Sequence, residues 1–158
     1  MKEKSPRKPE NKPASKRSPA SRPSDSPKPY VFLDHTADIM FEAWGKDFKE
    51  ALQNASLAMF SIMGHAKEKE SFTLHERAKS KEELAVYVLS SLLSHAEAEE
   101  MVVSRVEITK LDEKKNSLSL TAYGEKKQPR DAIKAVTFHE FLLKEEKGKC
   151  TIRILLDV

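Results

Sequence analysis

One cysteine, Cys150, stands in the 158 residues, which excludes a disulfide scaffold and a Cys-rich zinc site. Such scarcity fits a reducing compartment, and the expected location is cytoplasmic. Only four glycines occur, at 45, 64, 124 and 148. They lie too far apart to cradle phosphates as a nucleotide-binding loop does. No apolar run approaches the roughly 18–20 residues that a membrane-crossing helix needs. The N-terminus shows no apolar h-region of a secretory signal, so no membrane association is expected. His-Glu-x-x-His, nucleophile-elbow and kinase signatures are missing as well.

What is present divides sharply in two. Residues 1–29 carry seven of the eight prolines, nine Lys/Arg and three acidic residues, and no aromatic. Their net charge is 9 − 3 = +6, so residues 30–158 sum to +3 − 6 = −3. After Met1 this segment has no Ile, Leu, Val or Phe, and it cannot bury enough apolar surface to offset the entropy of ordering. Its prolines also block helices and strand ladders. A disordered, partly extended basic arm is therefore expected over 1–29, ahead of one domain at 30–158. Such an arm could make transient, salt-dependent contacts with RNA phosphates. It could equally be a solubilising extension, and its Lys/Pro-rich composition suits a targeting segment least.

From Tyr30 the composition turns globular. Residues 38–44 read as a strand ending at Gly45, and Asp47 with Glu50 forms a variant capping box opening a helix. Phe48, Ala51, Leu52, Ala55, Met59 and Ile62 recur at helical spacing, and Gly64 makes a stop. A short strand is read at 70–75. Ser80 and Glu83 open a second helix, with Leu84, Tyr87, Val88, Leu92 and Ala96 on its apolar stripe. Alternation over 102–109 and 117–123, around the polar turn Asp112–Asn116, predicts an antiparallel hairpin. Residues 131–142 and Cys150–Leu156 complete the set. The expected class is α+β, with two helices packed on one face of a mainly antiparallel sheet of about six strands.

Chemistry concentrates in Asp34-His35-Thr36-Ala37-Asp38, at an element boundary. Two aspartates and a histidine in five residues could coordinate a metal or act as acid and base; turn formation would use the same residues. The other end stops at Leu155-Leu156-Asp157-Val158, where the Asp157 side chain lies one residue from the Val158 α-carboxylate. Held side by side on a central strand, these anionic oxygens would repel unless a cation or donor sits between them. Oxygen donors of this kind favour Ca²⁺, Mg²⁺ or Mn²⁺ over zinc. Adding Asp38 would give a three-carboxylate set. Cys150 reads as structural, Trp44 as core and His139 as a half-buried strand residue. His65, His75 and His95 read as surface.

The Asp-His-Thr-Ala-Asp segment, followed by a strand ending in Trp44-Gly45, resembles the opening signature of the archease family. The helix from Glu50-Ala51-Leu52 to Ala58-Met59-Phe60, Tyr123-Gly124-Glu125, Ile133–His139 and the terminal Leu155–Val158 are similar to later features of that family. The resemblance spans 30–158 and leaves the basic arm uncovered. It implies an accessory protein, not itself an enzyme, that serves RtcB-type RNA ligases. These join RNA 2′,3′-cyclic phosphate or 3′-phosphate ends to 5′-hydroxyl ends. Promotion of ligase guanylylation and of multiple turnover in tRNA splicing or RNA repair is implied with it. So is a metal site on Asp38, Asp157 and Val158, with Ca²⁺ the expected occupant in a structure. His35 is expected to orient rather than ligate.

One departure concerns the end of the second helix, Glu97-Ala98-Glu99-Glu100. Acidic residues at a helix C-terminus oppose the macrodipole, so they should lie past the helix or face a cationic partner. Two other functions remain open on residues alone. One is a metal-dependent hydrolase using Asp34, His35 and Asp38, the other an RNA-binding or chaperone-like module led by the basic arm.

Overall fold

Both helices begin as their capping sequences require. In the computed structural model, which describes residues 27–158, Asp47 Oδ1 accepts from Glu50 N (2.9 Å) and Ser80 Oγ accepts from Glu83 N (3.1 Å). Each glutamate reaches back in turn, Glu50 to Lys46 N (2.8 Å) and Glu83 to Lys79 N (3.1 Å). The expected disorder of the arm falls, but for residues 27–29, outside the described residues.

The elements run β1 (Tyr30–Leu33), β2 (Ile39–Gly45), α1 (Phe48–Met63), β3 (Glu70–Arg77), α2 (Lys81–Ala98), β4 (Met101–Asp112), β5 (Ser117–Lys126), β6 (Ala135–Glu146) and β7 (Lys149–Asp157). The class is α+β and every strand pairing is antiparallel, as the alternation predicts. Among the described residues there are seven strands rather than about six, because the apolar run at Tyr30 is itself a strand. They also divide into two sheets, ordered β1-β2-β7-β6 and β3-β5-β4. The second sheet is a contiguous block of chain inserted between the strands of the first, a partition that alternation alone does not encode.

The helices touch both sheets, α1 through β2, β7 and β4, and α2 through β6, β3 and β4. Ten of the sixteen residues of α1 are buried, more than one amphipathic face would hide, because sheet lies on two sides of it. Phe41, Leu52, Met59, Leu89, Ile154 and Leu156 are among the fully buried side chains of the resulting core. Burying each contributes roughly 1.5–3 kcal/mol.

Local differences have local causes. Trp44 is half-buried rather than core, since it ends its strand with Lys149 over its ring (5.7 Å). Helix α2 ends at Ala98, so Glu99 and Glu100 lie past it, with Lys126 3.7 Å from Glu99. In β6, Thr137 faces Leu155 but Leu142 faces Arg153, so a bulge of extra residues stands out of the ladder. His139 sits on that bulge and is exposed, not half-buried. No helix among the described residues is long and apolar enough to cross a membrane.

Candidate functional site

Strand β7 lies between β2 and β6, so the end that carries Asp157 is held on both sides. Ile39 pairs with Leu156 in the last rung of the β2–β7 ladder, and Asp38 and Asp157 are the residues that flank that rung. On the other flank Ala135 pairs with Asp157, whose carbonyl accepts from Lys134 N (2.7 Å). Asp38 is half-buried, whereas Asp157 and Val158 are exposed. The structure thus brings the two chain regions singled out in the sequence to one end of the first sheet. Among the described residues no three His, Cys, Asp or Glu side chains converge as a metal cage. Asp38 and Asp157 supply two carboxylates, and a third donor would have to come from the Val158 main chain.

His35 finds its partner on β6. Its Nε2 lies 3.0 Å from Glu140 Oε2 on the β6 bulge, and His139 Nε2 lies 3.6 Å from the same oxygen. The hydrogen bond from His35, opposed by some desolvation and aided by the His35, His139 and Arg153 charges, holds the Glu140 carboxyl below its ordinary range. Glu140 itself adopts φ 55, a backbone state that the bulge imposes. His35 Nδ1 is buried without a partner among the described residues. The ring therefore ties the 34–38 loop to β6, a positioning role. Glu140 was not legible beforehand, because the apolar–polar alternation of β6 gives no sign of the bulge.

Asp34 is exposed, and among the described residues no hydrogen bond joins Asp34, His35 and Asp38. Beside Asp38 lies an open depression of about 400 Å³ walled by Phe32, Leu33, Ile39 and Ile62. Arg130 borders it while donating to the last carbonyls of α1, Ser61 O (3.2 Å) and Ile62 O (3.1 Å). It caps the helix by neutralising its negative end. Cys150 is buried, and burial first, with the Glu145 charge, pushes its thiol up to about 11, as befits a structural residue.

Comparison with known sequences decides the family. The profile described as "Archease protein family (MTH1598/TM1083)" matches residues 30–158. The chain belongs to the archease family. Among its relatives is a protein archease of Methanothermobacter thermautotrophicus, 34% identical over 83% of this chain and 99% of that one. A protein archease of Sulfolobus acidocaldarius is 30% identical over 82% and 98%. An archease-like protein of Drosophila melanogaster is 29% identical over 82% and 90%. The solution structure of Methanobacterium thermoautotrophicum protein 1598 superposes with a TM-score of 0.68 at 33% identity, covering 83% of this chain and 99% of that one. A crystal structure from Thermotoga maritima, described as an archease and possible chaperone, shares the fold, with a TM-score of 0.63 at 20% identity over 80% and 94%. The archease match begins where the basic arm ends.

Proposed function

We propose that this archease-family chain is a cytoplasmic accessory protein of an RtcB-type RNA ligase. In this reading it promotes guanylylation of the ligase and multiple-turnover joining of 2′,3′-cyclic phosphate or 3′-phosphate ends to 5′-hydroxyl ends, in tRNA splicing or RNA repair. It is not itself the ligase. The reading is supported by the archease-family match over residues 30–158 and by the β2–β7 ladder, whose last rung, Ile39–Leu156, is flanked by Asp38 and Asp157.

Asp38, Asp157 and the Val158 carboxylate would hold a divalent cation, since clustered anionic oxygens suit Ca²⁺, Mg²⁺ or Mn²⁺. A cation there would supply positive charge for phosphate oxygens. The protein's own residues do the positioning. Lys134 fixes the β7 end through its N–H, and His35 with Glu140 fixes the loop that leads into Asp38. The acidic domain, net −3, would be drawn toward the cationic cleft of an RNA-handling ligase.

The test is ligation of a 3′-phosphate/5′-hydroxyl RNA pair in substrate excess by the cognate ligase, alone and with wild type or Asp38→Ala. Wild type is expected to turn a single-turnover ligase into a multiple-turnover one, and the variant to fail while remaining folded by circular dichroism. Unchanged ligation with wild type would overturn the activator reading. Full activity of the variant would overturn the role of Asp38.

A further inference from the structure

The second sheet presents an open face whose lower end is unlike the rest of this acidic domain. Register aligns two rows across it, His75–Ser119–Lys110 and Arg77–Ser117–Asp112. Positions two apart on a strand share a face, so both rows point the same way. A β-bulge between Ile108 and Lys110 sends Ile108 into the core and Lys110 onto the open side. Lys115, from the β4–β5 turn, joins them around a depression of about 690 Å³.

Arg77, Lys110 and Lys115 are all exposed, and among the described residues none has an acidic partner within 4.0 Å. Two carboxylates also border the depression. Asp112 is engaged by the backbone N–H groups of Lys114 and Lys115 (3.1 Å each). Glu76 alternates to the other face, where it accepts from Ser91. Ser117 and Ser119 add hydroxyls between the cations, and Ser119 Oγ is 2.7 Å from His75 Nδ1. Three unpaired cations spaced around hydroxyls and an imidazole match the side-chain types that contact phosphate oxygens.

We propose that this depression binds the phosphates of an RNA backbone. It lies at the opposite end of the domain from Asp38 and Asp157. Lys81 bridges Glu113 of the β4–β5 turn and Glu145 of β6 (2.6 and 3.0 Å), and Glu145 pairs with Cys150 near the start of β7. The nine residues of β7, about 26 Å of strand, separate that end from Asp157. RNA held there would be gripped away from the strand end that carries the carboxylates.

The experiment uses the full chain, fluorescence anisotropy and a short labelled single-stranded RNA, over a series of salt concentrations. Arg77→Gln/Lys110→Gln/Lys115→Gln is compared with Lys49→Gln/Lys67→Gln/Lys147→Gln, which removes as many exposed charges elsewhere. Loss of three phosphate contacts should lower the slope of log K against log salt by about 2 and weaken binding about tenfold or more at low salt. The control should retain the wild-type slope. An unchanged slope in the first variant would assign RNA binding to the basic arm or another surface and overturn the proposal. Equal losses in both variants would reduce it to net charge and overturn it too. Two competitors separate the ligand sources at constant ionic strength. Complete displacement by millimolar inorganic phosphate would make the depression a free-phosphate site, and competition by polyglutamate equal to that by unlabelled RNA would make it an acidic-protein site. Either would overturn the RNA assignment.

Discussion

Replacing Gly124 with alanine tests how closely β4 and β5 approach. Gly124 faces Val103 beside the irregularity between Val103 and Arg105, and its carbonyl accepts from Lys69 N (2.9 Å). A Cβ built there would lie 2.2 Å from Val102 O and 2.9 Å from Val103 Cα. Both obstacles are backbone, so no side chain can rotate away, and β4 must retreat by roughly 1 Å to restore van der Waals contact. Overpacking costs about 1–3 kcal/mol and a disrupted ladder hydrogen bond about 1 more. Reduced freedom of the unfolded chain returns about 0.4–1 kcal/mol. The net loss is about 2 kcal/mol. For a domain of this size that is about 6–10 °C in Tm. Gly148→Ala is the informative contrast, because Gly148 has φ 80 but nothing within 4 Å of an added Cβ. Its left-handed backbone should cost about 1–2 kcal/mol, less the same unfolded-state return. Urea and thermal unfolding followed by circular dichroism would rank the two. A Gly124→Ala protein within about 1 kcal/mol of wild type, or one more stable than Gly148→Ala, would refute the steric argument.

His35→Ala should release the Glu140 carboxyl, so that its NMR titration midpoint moves up toward the ordinary 4.5. Because folding lowers that pKa, the associated stability is present above 4.5 and fades as pH falls through the lowered value. Acid unfolding of the variant should therefore lose part of its dependence on pH in that window, and an unmoved Glu140 midpoint would show that His35 is not the cause. Cys150, with its thiol pushed up to about 11, should react with a thiol reagent at mildly alkaline pH about a hundredfold more slowly in the native protein than in urea. Equal rates in the two states would contradict its burial.

The elements were legible where local chemistry fixes them. Asp47 and Ser80 mark both helix starts, and the Asp112–Asn116 turn marks the hairpin, since its Asp112 Oδ1 accepts from two N–H groups within three residues. Sheet membership was not legible, because period-2 alternation reports which face of a strand is buried and nothing about its neighbour. The same limit explains His139 and Glu140, which look like ordinary strand residues until the β6–β7 register slips at Thr137. Asp38 and Asp157 stand out in the sequence by their chemistry and by the family resemblance, whereas their approach depends on a pairing between distant parts of the chain. The basic depression escaped notice for a related reason. Arg77, Lys110 and Lys115 are scattered in sequence, and a bulge between Ile108 and Lys110 decides where Lys110 points.

The nesting of one sheet inside the other has a kinetic consequence. Pairing Ile39 with Leu156 closes a loop of 156 − 39 = 117 positions, at an entropic cost of about 4 kcal/mol. The β3-β5-β4 sheet needs only residues 70–126, so its contacts are far more local and should form first. Docking of β7 is then the late event, and only at that step do Asp38 and Asp157 become neighbours. The basic depression, built wholly from the early sheet, would already be in place. A chain caught between the two stages would present the one surface and not the other. Hydrogen exchange pulsed during refolding should therefore protect β5 amides before those β7 amides that face β2.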